Sequence, residues 1–157
     1  MKRAILLAMV TALVFGAVAP AASAQPTSFR AVLSGGNEVP AVDTLARGVA
    51  TFQLSDDGTE LSFRLVVANI ENVVASHIHV APAGVNGPVV AFLFSGAPGG
   101  RSDGVLAEGT ITAANLVGPL AGHPLSDLIA AMEAGNAYAN VHTSPAHLGG
   151  EIRGQIF

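Results

Sequence analysis

The sequence predicts an all-β fold, a sandwich or barrel of short strands that carries one short helix near 125–134. Three observations point there. Apolar residues recur with period two along most of the chain, and Gly/Pro/Asn clusters cut that pattern into short runs. A single stretch carries the helical period instead.

The clearest strand has Leu61, Phe63, Leu65 and Val67 alternating with Ser62, Arg64 and Val66. Successive side chains of a strand face opposite sides, so this one is half-buried. Asp56-Asp57-Gly58-Thr59 just before it reads as a turn, and Gly48 to Ser55 as the partner strand of a hairpin. Further strands are expected at Phe29–Ser34, Val73–Val80, Val89–Phe94, Val105–Ile111, Ala137–His142 and Glu151–Phe157. Breaks fall at Gly35-Gly36-Asn37, at Pro82 to Pro88 and at Gly96 to Gly100. Runs this short suit a sandwich or barrel better than a parallel α/β sheet. In the helix, Leu125, Leu128, Ile129 and Met132 fall at i, i+3, i+4 and i+7. Pro124 stands where a first helical residue belongs and Gly135 where a C′ glycine belongs. The apolar stripe predicts a core-facing helix that closes one end of the fold.

The N-terminus assigns a compartment. Lys2 and Arg3 precede an apolar run from Ala4 to Ala19, and Ala22-Ser23-Ala24 is the small-x-small pattern that signal peptidases cut after. Residues 1–24 therefore read as a cleaved signal peptide and 25–157 as one mature domain, periplasmic or secreted. No second long apolar segment follows, so no stable membrane insertion is expected once the signal is gone. The mature part has no lysine, and its five arginines face eleven carboxylates. That acidity excludes nucleic acid as a partner, because a basic patch is needed to neutralise phosphates. There is no cysteine, so no disulfide staples the domain and metal ligation falls to histidine and carboxylate.

The histidines carry the chemistry. His77 and His79 lie two apart on an expected strand and share one face, while Ile78 and Val80 take the other. Tyr138, Asn140 and His142 share one face of a later strand. If the two strands are neighbours, three imidazoles converge in a set that suits Cu(II), and less well Zn(II). Affinity should then fall as pH drops through about 6.5, the ordinary imidazole pKa. The plainer reading is that these polar faces serve solubility, or that Asn140 and His142 hydrogen-bond a nearby loop. His147 is a further possible ligand or a solvated loop residue, and His123 at the helix start reads as structural. Glu151 and Arg153, on one strand face at i and i+2, read as an ion pair. No nucleophile elbow, phosphate loop, dinucleotide fingerprint or paired-carboxylate spacing is present, so neither an enzyme nor an organic cofactor is expected.

Several segments together resemble the CHRD domain, the repeated domain of chordin. They are Leu33-Ser34-Gly35-Gly36-Asn37-Glu38-Val39-Pro40, Ala75-Ser76-His77-Ile78-His79-Val80 with Asn86-Gly87-Pro88-Val89-Val90, and Leu125-Ser126-Asp127-Leu128. The strongest runs from Ala134-Gly135-Asn136-Ala137-Tyr138-Ala139-Asn140-Val141-His142-Thr143 into Gly149-Gly150-Glu151-Ile152-Arg153-Gly154-Gln155-Ile156. The likeness spans Phe29 to Phe157. It departs at Val80, where the family often has glycine, and in the Ser144–Leu148 loop. It implies an immunoglobulin-like antiparallel β-sandwich and little about chemistry. The histidine pattern also looks like the copper ligands of copper–zinc superoxide dismutases, with His77, His79 and His142 at the matching places. Their zinc loop and disulfide have no counterpart here. Three functions follow in order: metal binding through the histidines, an interaction module displaying Ala81–Pro88 and Ser95–Asp103 to a protein or glycan, and a copper-dependent redox enzyme. The glycan version is weakened by an aromatic content that offers one tyrosine and no tryptophan.

Overall fold

A computed structural model describes residues 27–157. The expected signal peptide, 1–24, lies outside the described residues. Eight strands form one antiparallel sheet: β1 Ser28–Ser34, β2 Arg47–Leu54, β3 Leu61–Glu71, β4 Val73–Val80, β5 Val89–Ser95, β6 Arg101–Ile111, β7 Ala137–Thr143 and β8 His147–Gln155. The helix α1 is Leu125–Glu133. The expected all-β class therefore holds, and so does the single helix.

Strand order is β5-β4-β7-β8-β1-β2-β3-β6, which shows that the sheet must curl. Strands β3 and β4 stand five places apart, about 24 Å across a flat sheet at about 4.8 Å per strand. Only Asn72 links them, and one residue spans about 3.8 Å. The sheet closes on itself so that the edge strands β5 and β6 meet. The result is a single curled sheet, close to a barrel and compatible with the expected antiparallel sandwich.

The core lies inside the curl. Strand β1 alternates as expected, with Phe29, Ala31 and Leu33 buried and Ser28, Arg30 and Val32 exposed. Leu65, Val67, Ile78, Val141 and Ile152 join them in one apolar cluster. Leu125, Leu128, Ile129 and Met132 press the stripe of α1 onto the same cluster. Pro124 occupies the N-cap position, one place earlier than the sequence suggests. At the other end Gly135 adopts a φ of 67°, its N–H donates to Met132 O at 2.9 Å, and Asn136 N–H donates to Ala131 O at 2.8 Å. That pair of bonds is the Schellman arrangement, and it delivers the chain directly into β7.

Further local expectations change, among them the start of β6, which lies at Arg101 and not at Val105. Strand β8 begins at His147 and not at Glu151, because the chain turns sharply after Thr143 and pairs Thr143 with His147. Glu151 and Arg153 do not pair with each other. Glu151 accepts from the hydroxyls of Thr44 (2.7 Å) and Thr143 (2.6 Å). Arg153 instead donates to Asn86 Oδ1 (2.9 Å) and Val85 O (3.2 Å). An i, i+2 relation places two side chains on one face, but these hydroxyls and carbonyls lie nearer.

Candidate metal centre

Strands β4 and β7 are neighbours, with His77 opposite Asn140, His79 opposite Tyr138 and Ala75 opposite His142. Their outward side chains therefore stand side by side on the convex face. That face is not solvated. Every residue of β7 is buried, since the 82–88 loop and the turn before β8 fold over it. His79 and His142 are each 8 % exposed and Asn140 2 %, while His77 stands half-buried at the rim.

One ring nitrogen from each of His77, His79 and His142 lies within 4.8 Å of the other two. Main-chain carbonyls settle which nitrogens those can be. His79 Nδ1 lies 2.9 Å from Gly87 O, and His142 Nδ1 lies 2.9 Å from Leu148 O. A carbonyl only accepts, so each Nδ1 carries the proton and each Nε2 keeps a lone pair turned into the cluster. His77 Nδ1 sits 3.1 Å from His142 Nε2. Orientation of an imidazole by a carbonyl behind it is how metal-ligating histidines are usually held.

A stack of rings extends from the cluster. The Tyr138 ring lies on that of His79, centroids 4.8 Å apart and 5° from parallel. The buried guanidinium of Arg153 lies 4.1 Å from the centre of the Tyr138 ring. The Tyr138 hydroxyl accepts the Gly87 N–H at 3.1 Å, so the residue that orients His79 is itself tied to the stack. On the other side, Phe92 meets His77 edge-on at 5.0 Å.

Burial holds all three imidazoles neutral. It pushes His77 down to about 4, with the neighbouring charges of His142 and His79 adding to the effect. His79 and His142 are also lowered, first by burial, against the opposing pull of the Gly87 and Leu148 carbonyls. Neutral imidazole is the ligating form.

The remaining candidates fall elsewhere. His147 stands at the start of β8 outside the cluster, beside Glu151, Asn69 and Asn72. His123 pairs with Asp127 at 2.7 Å across the first turn of α1. In the sequence Glu38 stands out only as part of the Gly35-Gly36-Asn37-Glu38 segment of the family resemblance. It is 7 % exposed, and its Oε1 is buried without a hydrogen-bond partner. Burial lifts it to about 7 against the attraction of Arg153. Glu38 and Arg153 line a cleft of about 740 Å³, beyond the Tyr138 stack from the histidines. No sequence signal distinguishes Glu38, because its burial depends on loops that meet only in the fold.

Fold and site together define a class: a curled antiparallel β domain bearing three convergent, neutral imidazoles on its convex face. The chain belongs to the CHRD domain family, whose sequence model matches residues 29–156. No curated protein and no solved structure matches it. Among the described residues no helix is long and apolar enough to cross a membrane.

Proposed function

We propose that this is an exported CHRD protein that binds a divalent transition metal through His77, His79 and His142, with Cu(II) favoured over Zn(II). The observation that carries the reading is the pair of carbonyls, Gly87 O and Leu148 O, that aim two Nε2 lone pairs into one gap. Nitrogen donors of this kind follow the stability order in which Cu(II) exceeds Zn(II). Export rests on the basic, apolar and small-x-small segments of residues 1–24. The half-exposed His77 leaves the centre open on one side, which suits exchange of metal or access of a small molecule. We assign no catalytic step and no organic cofactor.

The test is thermal unfolding of the purified protein with Cu(II), with Zn(II) and with neither, beside the double variant His77→Ala/His79→Ala. A ligand confined to the folded state stabilises it by about 2.7 kcal/mol at a hundredfold excess over Kd. That amount shifts the melting temperature by several degrees in a domain of this size. The expected result is a shift with Cu(II), smaller with Zn(II), that the double variant abolishes. No shift with either metal would return the histidines to a structural role. The 82–88 loop would then become the first place to seek a protein or glycan partner.

A further inference from the structure

The geometry points to Asn140 as a fourth ligand of this centre, its amide oxygen completing a set of three nitrogens and one oxygen. The inference rests on the reading of His77, His79 and His142 as metal ligands and adds a residue that their spacing alone does not select.

Asn140 Oδ1 lies 3.1 Å from His79 Nε2 and 3.1 Å from His142 Nε2. Both rings have given their Nδ1 protons to main-chain carbonyls, so both Nε2 atoms are acceptors. The amide oxygen is an acceptor too. Three lone-pair donors thus face one another in a buried place, and the only proton on offer is that of His77 Nδ1, which reaches His142. Buried polar groups do not persist in such an arrangement without a partner. Two changes relieve it. A cation can occupy the gap, or the amide can turn about its Cβ–Cγ bond so that its NH₂ donates to both Nε2 atoms.

Three of the donor pairs already have the spacing the first change needs, and the histidine nitrogens, within 4.8 Å of one another, draw together on loading. Donors at neighbouring positions on one metal, with bonds of about 2.0–2.1 Å, stand about 2.9–3.4 Å apart. The two oxygen–nitrogen separations and the His77–His142 separation all equal 3.1 Å. The Asn140 backbone is also pinned from the core side, where its carbonyl accepts the Ser76 hydroxyl at 2.6 Å. Asn140 therefore has two settings on a fixed strand. Its NH₂ turns inward when the centre is empty of metal, and its oxygen turns inward when metal enters. On loading, His77 also releases its Nδ1 proton from His142, and its ring carries the proton on Nε2.

Three proteins test this: wild type, Asn140→Ala and Asn140→Asp, each titrated with Cu(II) and followed by electron paramagnetic resonance. Asn140→Ala should lose at least as much Cu(II) affinity as loss of an outer-shell partner costs, about tenfold to hundredfold. Its spectrum should change as solvent replaces the amide oxygen. Asn140→Asp, which keeps an oxygen donor, should retain the affinity. A measurement on wild type guards against misfolded variants. On addition of Zn(II), the Asn140 side-chain carbonyl carbon should shift in the NMR spectrum, and its amide protons should lose their protection from exchange. Unchanged affinity and spectrum in Asn140→Ala, with wild type loading normally, would overturn the fourth ligand and leave the histidine centre standing. So would an Asn140 amide signal that ignores Zn(II) while the His79 and His142 ring signals move. A wild-type protein that binds neither metal overturns both.

Discussion

At the scale of single residues, the histidines and Glu38 pull stability in opposite directions with pH. His77 has a folded pKa of about 4, below the usual value near 6.5, so the unfolded chain binds more protons between those values. Stability of the metal-free protein should fall as pH drops from about 6.5 toward 4, and His79 and His142 add to the fall in the same direction. Urea midpoints measured across that range should show a shallower slope in His77→Ala/His79→Ala. The same depression moves the loss of metal below the pH of about 6.5 that the bare sequence suggests. Copper should remain bound at pH 5.5, and release already complete there would contradict a buried neutral site. Glu38 behaves the other way. Its folded pKa of about 7 exceeds 4.5, so the folded state binds more protons in that window and loses stability as pH rises through it. Between pH 5 and 8, Glu38→Gln should gain on wild type by about 1–3 kcal/mol, read from paired denaturation curves. An equal difference at both pH values would mean that the carboxyl is not titrating where its burial puts it.

At the scale of elements, β7 depends on what packs around its start. The helix α1 ends in the Gly135 cap that launches β7, and its Leu128 is fully buried in the core. Leu128→Ala should cost about 2–5 kcal/mol by leaving a cavity under β7. The 82–88 loop covers the same end of β7 through Arg153 to Asn86, Asn86 Nδ2 to Val39 O (2.8 Å) and Gly87 to His79. Gly87 is the sensitive point, since any side chain there would collide with the Val80 carbonyl. Gly87→Ala must displace the carbonyl that orients His79. It should therefore weaken metal binding by about tenfold, as loss of an outer-shell partner does, in calorimetric titration with Cu(II). A variant that binds like wild type would show that His79 needs no such support.

For the whole molecule, closure of the sheet turns on the corner at Asn72. This residue joins strands from opposite ends of the strand order, with a φ of 55°. Its N–H donates to Gly100 O at 2.7 Å, its Oδ1 accepts the Gly100 N–H at 3.1 Å, and its carbonyl accepts the Ser144 N–H at 3.0 Å. Asparagine tolerates the left-handed region, and a β-branched residue does not. Asn72→Val should lower the melting temperature by several degrees, and Asn72→Gly should recover most of the backbone part of the loss. Because β4 starts at this corner, the same change should loosen the register that sets His77 opposite Asn140.

Period-two alternation determined the strands, since a half-buried strand must hide every second side chain, and it put His77 with His79 and Tyr138 with Asn140 and His142. The helical stripe from Leu125 to Met132, with glycine after it, determined α1 for the same reason. Those patterns are local and follow from backbone geometry. Pairing of strands was decided only in three dimensions. Nothing in either strand alone says that β4 lies beside β7, so the meeting of His77, His79 and His142 stayed conditional until the sheet order was known. The folded chain likewise decided that the convex face is covered, that Glu38 is buried and that Arg153 stacks on Tyr138 instead of pairing with Glu151. Burial, tautomer and pKa depend on which loops cover a residue, and those loops come from distant parts of the chain.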